Sequence, residues 1–143
     1  MTAKLDLSAL RSAIVSLQEG IGVVSDAHWF NAQSKAVQNT LIAGVIQNFE
    51  FVYELSIKMM RRQIEKDAAS PTEADHGDFR NLLRTAAEKG LIADVESWFK
   101  YREMRNITAH TYDHEKANRV YNGTLAFIGD ARALLETLDA RNA

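Results

Sequence analysis

The sequence contains no cysteine, a single proline and no long apolar run. The lack of cysteine excludes disulfide bonds, a thiolate metal site and a thiol nucleophile. No apolar stretch approaches the length of a membrane span, and the N-terminal residues lack the apolar core of a secretory signal. We therefore expect a cytoplasmic protein that does not enter the membrane.

The charges are nearly balanced, with 17 Lys and Arg residues against 19 Asp and Glu residues and a net charge of −2. This balance excludes the broad basic field with which proteins wrap nucleic acid nonspecifically. It still allows a local basic patch that binds RNA. At 143 residues the chain is long enough for one domain, residues 1–143, with a hydrophobic core of its own.

Apolar residues that recur at three- and four-residue spacing predict five helices. Asp78 and Gly90 suit the start and the end of the third helix, and "DAASPTEADHG", residues 67–77, is typical of a linker. Short connections between helices predict an all-α, antiparallel up-and-down bundle of about five helices. These helices cover residues 7–24, about 37–66, 78–89, about 94 into the stretch 101–116, and about 113–138.

The second predicted helix is apolar on more than one side, which indicates burial on more than one face. We interpret its second face as the subunit interface of a homodimer, and the alternative is a central core helix in a monomer. The first stripe consists of Val37, Leu41, Val45, Phe49, Val52, Leu55 and Met59. The other apolar positions are Ile42, Ile46, Tyr53, Ile57, Met60 and Ile64.

Two groups of polar side chains on this helix have a role that the sequence leaves open. The first group either lines a cleft or is satisfied within the core, and it consists of Glu50, Tyr53 and Glu54. The second is a basic row, typical of a solvated face but also suited to an RNA track or a docking surface for an acidic partner. This row consists of Lys58, Arg61, Arg62 and Lys66.

The stretch "YREMRNITAHTYDHEK", residues 101–116, gathers arginine, asparagine, histidine and tyrosine side chains near a helix end. On a straight helix, Arg105 and His110 point roughly 140° apart. A bend near the helix end, or a two-fold axis between two subunits, is needed to bring them to one site. The same projection places His110 with Asn106 and Phe99, and it places Arg105 with Trp98, Tyr101, Thr108 and Tyr112.

The side chains of this stretch suit RNA cleavage. A histidine can move a proton off a 2′-hydroxyl or onto a leaving oxygen, and an arginine can hold a phosphate and stabilise developing charge. Such a transesterification needs no metal ion. Asn106 can orient His110 or bind the ribose, and Tyr112 adds a hydroxyl. Taken by its spacing alone, however, the stretch is better explained as a solvated helix end whose arginine complements the helix dipole.

Other chemistries find less support. His110 and His114 are four residues apart and can share a metal ion if one helix carries both, but a helix end followed by a new start at Asp113 is the preferred interpretation. His28 and His76 have no neighbours at ligand spacing. We expect neither a metal nor a cofactor. The sequence has no glycine-rich phosphate loop and no aspartate pair at metal-binding spacing, so the chain alone lacks the means of a nucleotidyltransferase.

The string "RNITAHTY" fits the R-x4-H-x-Y motif of HEPN-domain proteins. Over nearly its whole length the chain resembles the nucleotidyltransferase substrate-binding family, which belongs to the HEPN class and is related to the HepT toxins. The segments that carry this resemblance are, in order, "DLSALRSAIVSL", "AGVIQNFEFVYELSIKMMRRQ", "DFRNLLRTAAEKGLI" and "ESWFKYREMRNITAHTYD".

The resemblance implies an all-α bundle that dimerises, with the motif in a cleft at the two-fold interface. It also implies a partner, a minimal nucleotidyltransferase encoded beside the chain. In one interpretation the family supplies the substrate-binding part of a split nucleotidyltransferase. In the other it is a metal-independent ribonuclease toxin that the partner silences by transferring AMP to the motif tyrosine. Arg105 and His110 then become the catalytic pair, Asn106 the polar residue after the arginine, and Tyr112 the AMP acceptor.

Overall fold

A computed structural model describes residues 3–68 and 78–143, and within them the chain forms six α-helices, one 3₁₀ turn and no strand. The helices are α1 (Ser8–Ser25), α2 (Ala27–Asn31), α3 (Lys35–Asp67), α4 (Phe79–Glu88), α5 (Val95–Ile107) and α6 (His114–Arg141), and the 3₁₀ turn is Thr108–His110. The predicted all-α bundle is confirmed. No helix of these two ranges combines the length and the apolar character that a bilayer span requires.

The helix ends follow local capping chemistry. The Asp78 carboxylate accepts a hydrogen bond from the backbone N–H of Asn81 at 2.9 Å, and it thereby satisfies a donor that the first turn of α4 leaves open. Gly90 follows this helix with φ of 77°, a left-handed conformation that costs glycine little. Both predicted ends of α4 are confirmed. The predicted linker, residues 67–77, lies outside the described residues from residue 69 onwards, and so does His76.

Helix α2 was missed by the periodicity of the sequence. It has only five residues and buries none of them, so it has no apolar stripe to detect. The Asp26 carboxylate caps it by accepting the backbone N–H of Trp29 at 3.4 Å. The helix places Phe30 against the start of α3, where the side chain is half-buried.

A cluster of aromatic rings fixes α5 against α3 and α6. The ring of Phe127, on α6, meets the rings of Phe49, Trp98 and Tyr101 edge-on, at centroid distances of 4.8, 5.7 and 4.9 Å. Phe49 lies on α3, and the other two rings lie on α5. All four side chains are buried. Edge-on pairs add about 0.5–1.5 kcal/mol each beyond the area they bury, so this cluster helps to hold the three helices together.

The second apolar face of α3 is covered by the chain's own helices. Both predicted stripes contribute buried residues, namely Val45, Ile46, Phe49, Val52, Tyr53, Met59, Met60 and Ile64. α3 packs against α1, α4, α5 and α6, so the alternative of a central core helix accounts for its apolar content. The second apolar face of α3, which we interpreted from the sequence as a subunit interface, therefore gives no support to a homodimer. Two large apolar side chains of α3 remain exposed, Val37 at 40% and Phe51 at 50%.

Replacing Phe127 by alanine tests the aromatic cluster. Phe127→Ala is expected to lower the free energy of unfolding by about 3–5 kcal/mol, because it leaves a cavity among three rings. Leu125→Ala is the matched control: Leu125 lies on the same helix with 49% exposure, and such surface changes stay within about 0.5 kcal/mol. Urea unfolding followed by circular dichroism measures both. Equal losses in the two variants would contradict the central role of the cluster.

Candidate functional site

The motif stretch contains a break between two helices. α5 ends at Ile107, the 3₁₀ turn covers Thr108–His110, and α6 begins at His114. The Thr108 hydroxyl donates to the Arg105 carbonyl at 2.8 Å and thereby satisfies an acceptor of the last turn of α5. The Asp113 carboxylate accepts the N–H of Glu115 at 3.0 Å and starts the next helix. The start of a new helix after Asp113 is thus confirmed.

This break corrects the projection on a single straight helix. A 3₁₀ turn advances by about 120° per residue instead of 100°, and the turn ends before Tyr112. Trp98, Tyr101 and Thr108 are buried, whereas Tyr112 is 80% exposed, so these side chains do not share one face. His110 and His114 also lie on different elements, which removes the continuous helix that a shared metal ion requires. Among the residues that the structure describes, no three His, Cys, Asp or Glu side chains are grouped for metal binding.

Arg105 is held at the end of α5 by Glu54 of α3. Its Nε and Nη2 atoms both donate to Oε1 of Glu54, at 3.1 and 2.8 Å. Its Nη1 atom reaches the Thr108 hydroxyl at 3.4 Å, a long contact. The side chain of Arg105 is 34% exposed and that of Glu54 is 55% exposed, so this pair orients the guanidinium without removing it from water. Glu54 thus belongs to the site rather than to the core.

Arg105 lines a cavity with a volume of about 430 Å³. We call it the arginine cleft, after Arg61, Arg102 and Arg105 in its walls. Its other lining residues are Tyr53, Glu54, Ile57, Phe79 and Asn106. The Arg102 guanidinium lies over the Phe79 ring, 4.0 Å from its centroid. Asn106 thus shares a cavity with Arg105, contrary to the projection that separated them.

The basic row of α3 divides among three surroundings. Arg61 lines the arginine cleft, and the Lys66 ammonium donates to the side-chain oxygen of Asn142 at 2.7 Å. Lys58 borders another cavity, of about 480 Å³, together with Ala13, Phe51, Glu54 and Leu55. The row is therefore not one continuous track, and only its Arg61 faces the same space as Arg105 and Arg102.

Tyr53 forms part of the inner wall of the arginine cleft. Its side chain is 3% exposed, and its hydroxyl has no hydrogen-bond partner within the two described ranges. Burial raises the pKa of Tyr53 from 10.0 to about 12, and the Arg102 side chain, which lies beside the hydroxyl without a bond of hydrogen-bond geometry, acts in the opposite direction together with the charge of Arg105. The phenol thus stays neutral beside the arginines, because an ionised phenol would lose the water that stabilises its charge.

His110 and Tyr112 lie together on the turn that precedes α6. Both side chains are exposed, and their rings meet edge-on with 6.1 Å between centroids. Tyr112 also lines a cavity of about 520 Å³ between the starts of α3 and α6, which we call the tyrosine cavity. Its other lining residues are Phe30, Lys35, Gln38, Asn39, Ile42, Ala43, Ile46, Thr111, His114, Ala117 and Asn118.

The four motif side chains thus occupy two neighbouring regions of the chain. Arg105 and Asn106 line the arginine cleft, Tyr112 lines the tyrosine cavity, and His110 contacts the ring of Tyr112. Sequence reasoning missed Arg102 and Phe79 as parts of the site, although Arg102 stands within the motif stretch. It also missed Lys35, Asn39 and Asn118, for which the sequence offers no signal because the first two lie on α3 and the third on α6.

The chain belongs to the family of nucleotidyltransferase substrate binding protein-like proteins, whose profile matches residues 5–140. A curated relative, the probable ribonuclease HepT of Haemophilus influenzae, is 49% identical over 142 residues, which cover 99% of this chain and 97% of that protein. A solved structure from Haemophilus influenzae, described as the fold of a substrate binding domain of a nucleotidyltransferase, matches with a TM-score of 0.90 and 48% identity. That match covers 94% of this chain and 99% of the other. The resemblance in the sequence is confirmed.

Replacing Tyr53 by phenylalanine tests the environment of the cleft wall. Because the unfolded chain ionises Tyr53 near pH 10 and the folded chain only near 12, the stability that Tyr53 contributes is present below pH 10 and lost as pH rises towards 12. Tyr53→Phe is expected to keep or raise the free energy of unfolding at pH 7, since it removes an unpartnered hydroxyl. Its advantage over the wild type is expected to grow above pH 10. Urea unfolding across this pH range measures the difference in the free energy of unfolding between the two proteins. A difference that does not change with pH would contradict the raised pKa of Tyr53.

Proposed function

We propose that this protein is a metal-independent endoribonuclease that acts as a toxin and is silenced by AMP on Tyr112. Its catalytic side chains are Arg105, Asn106 and His110, and its partner is a minimal nucleotidyltransferase. Family membership and the relative named as a probable ribonuclease support this function. The observation that carries it is the arginine cleft, where Arg105 is oriented by Glu54 and stands beside Arg61, Arg102 and Asn106.

The arginine cleft suits the backbone of an RNA strand. Three guanidinium groups around one cavity can neutralise adjacent phosphates, and guanidinium forks match phosphate oxygens in geometry. Glu54 already engages Nε and Nη2 of Arg105. Nη1 makes only the long contact with Thr108, so this nitrogen is the one that a phosphate oxygen engages first. Asn106 lines the same cavity and can donate to the ribose or to a phosphate.

His110 supplies the proton transfer. Its imidazole takes the proton of the 2′-hydroxyl, and the 2′-oxygen attacks the adjacent phosphorus. The bond from phosphorus to the 5′-oxygen breaks, and that oxygen leaves with a proton from an acid at the site. The products are a 2′,3′-cyclic phosphate and a 5′-hydroxyl, and no electrons are exchanged. Arg105 stabilises the charge that develops on the phosphoryl oxygens.

A homodimer completes the site in this proposal. Arg105 lines the arginine cleft, whereas His110 faces water beside Tyr112, so a second copy can bring its own His110 towards the cleft. An apolar patch lies next to the cleft and suits the contact: Phe51 is 50% exposed, and it borders one cavity with Ala13, Leu55 and Glu54. Glu54 lines that cavity and the arginine cleft alike. An interface through Phe51 would therefore adjoin the catalytic residues.

Tyr112 is well placed to accept AMP from a partner. Its side chain is 80% exposed, so a second protein can reach the phenol oxygen. That oxygen attacks the α-phosphorus of ATP held by the nucleotidyltransferase, a new O–P bond forms, pyrophosphate leaves, and the phenol proton passes to a base. The product places a negative phosphodiester near the His110 ring, which lies 6.1 Å from the Tyr112 ring. This charge repels the RNA backbone and silences the nuclease.

A second candidate function is a non-catalytic substrate-binding subunit of a two-component nucleotidyltransferase. The family description and the description of the solved relative both favour it. In that case the tyrosine cavity would hold the substrate of the partner, and the arginine cleft would have no hydrolytic role. Cleavage of RNA by the purified chain separates the two candidates, since the subunit alone would leave RNA intact.

Replacing His110 by alanine tests the nuclease. His110→Ala is expected to lower the cleavage rate of a fluorescent RNA oligonucleotide by about 10²–10⁴-fold, because it removes the general base. Arg105→Ala is expected to lower it by about 10²–10³-fold. His28→Ala is the matched control, since His28 lies on α2 and is exposed. Each assay is run with and without EDTA. Cleavage by His110→Ala at the rate of the wild type would contradict the proposed mechanism. Loss of cleavage by the wild-type protein in EDTA would contradict it as well.

Replacing Tyr112 by phenylalanine tests the silencing. Tyr112→Phe is expected to stop growth with or without the nucleotidyltransferase, because the variant cleaves RNA but has no hydroxyl to accept AMP. Growth curves and intact-mass spectrometry of the purified protein measure the two effects. Tyr121→Phe makes the same chemical change on α6, at a half-buried position, and should remain silenced. Equal silencing of Tyr112→Phe and wild type would remove Tyr112 from this role.

A further inference from the structure

The tyrosine cavity has the size and lining of a nucleotide site. Its volume of about 520 Å³ falls within the range of roughly 300–1,000 Å³ that is typical of small-molecule pockets. The floor is apolar and the rim is polar, as in most such pockets. The floor consists of the buried or half-buried Ile42, Ile46 and Ala117, and the exposed rim includes Lys35, Asn39, Tyr112 and Asn118 together with Ala43.

The wall around Phe30 is fixed by hydrogen bonds. The Gln38 amide nitrogen donates to the carbonyl oxygens of Phe30 and Gln33, at 3.1 Å each. These bonds tie the segment after α2 to the first turns of α3. Phe30 is therefore held at the cavity, where its ring can stack on a base, an interaction worth about 1–3 kcal/mol in proteins that bind single strands.

The start of α3 favours an anion at this cavity. Lys35 is the first residue of α3, and its cap is the neutral side chain of Ser34. The first turn of α3 contains no acidic residue, so the positive end of the helix dipole is not compensated there. At α6, by contrast, the Asp113 carboxylate already caps the first turn. Among the described residues that line the cavity there is no carboxylate, so Lys35 and the start of α3 supply its charge.

We propose that the tyrosine cavity receives the AMP group that Tyr112 carries, so that the modification becomes a docked ligand of the same chain. This inference rests on the proposed function. Lys35 and the start of α3 face the phosphate, Phe30 stacks on the adenine, and Asn39 and Asn118 offer amide groups, which pair well with the adenine edge. Docking holds the AMP on the folded chain and shields its phosphodiester bond from water and enzymes.

The inference is tested on the modified protein, purified after co-expression with the nucleotidyltransferase. A phosphodiesterase removes AMP from the intact protein and from the peptide that contains Tyr112, and intact mass follows both reactions. Removal from the folded protein is expected to be at least about tenfold slower, the factor that a docking free energy of about 1.4 kcal/mol produces. The modified protein should also melt at a higher temperature than the unmodified one, because a bound ligand stabilises the folded state.

Two variants remove the docking by different means. Lys35→Ala deletes the cation, and Ala43→Phe places a ring in the cavity from an exposed position on its rim. Both should still accept AMP at Tyr112, lose the rise in melting temperature, and release AMP nearly as fast as the peptide does. Lys100→Ala is the control for Lys35→Ala, since Lys100 is an exposed lysine on α5 that does not line the tyrosine cavity.

The outcomes distinguish this inference from the function on which it rests. If AMP is removed from Tyr112 equally fast in the folded protein and in the peptide, the proposed docking is wrong. The proposed silencing by AMP is not affected by that result. The same holds if Lys35→Ala and Ala43→Phe protect AMP as well as the wild type does. A complete absence of AMP from Tyr112 in the co-expressed protein overturns both.

Discussion

The edge-on packing of Phe127 against Phe49, Trp98 and Tyr101 is the interaction on which the rest of the structure depends. It joins α3, α5 and α6 in one place and sets the position of α5 between the other two helices. Because Arg105 lies four residues, about one helical turn, after Tyr101 on α5, this packing also places its guanidinium where it meets Glu54 of α3. The core and the candidate site are therefore parts of one arrangement.

The break between α5 and α6 separates two chemically different cavities, the arginine cleft and the tyrosine cavity. Thr108 closes the helix by donating to the Arg105 carbonyl, the 3₁₀ turn follows, and Asp113 starts α6. The arginines remain on the α3 side, whereas Tyr112 is directed to the starts of α3 and α6. In the function that we propose, the chain can thus bind RNA in the arginine cleft and carry AMP in the tyrosine cavity. His110 takes part in the cleavage and also contacts the ring of Tyr112, which carries the AMP.

Much of the fold was predictable from the sequence, because long amphipathic helices and their caps are local features. The apolar spacing located α1, α3 and α6, and Asp78 and Asp113 marked two helix starts. Helix α2 was not predictable, since five residues without a buried side chain leave no periodic signal. What covers the second face of α3 was out of reach, because it depends on how other helices pack and not on α3 itself.

The candidate site was predictable in its residues but not in its geometry. The motif stretch contains Arg105, Asn106, His110 and Tyr112, yet its projection assumed one straight helix and so misassigned the faces of Asn106 and Tyr112. The partner of Arg105 is Glu54, 51 residues away, and only the tertiary packing brings them together. The tyrosine cavity combines α2, the start of α3, the turn that carries Tyr112 and the start of α6, a combination that no local pattern encodes.

The central claim is that one histidine–arginine site cleaves RNA and that AMP on Tyr112 turns it off. The most direct measurement is the rate of RNA cleavage in EDTA by protein samples whose AMP content at Tyr112, determined by mass spectrometry, ranges from none to complete. The account predicts rapid cleavage by the unmodified protein and a rate that falls in proportion to the modified fraction. Unmodified protein that leaves RNA intact, or fully modified protein that cleaves at the same rate, would contradict it.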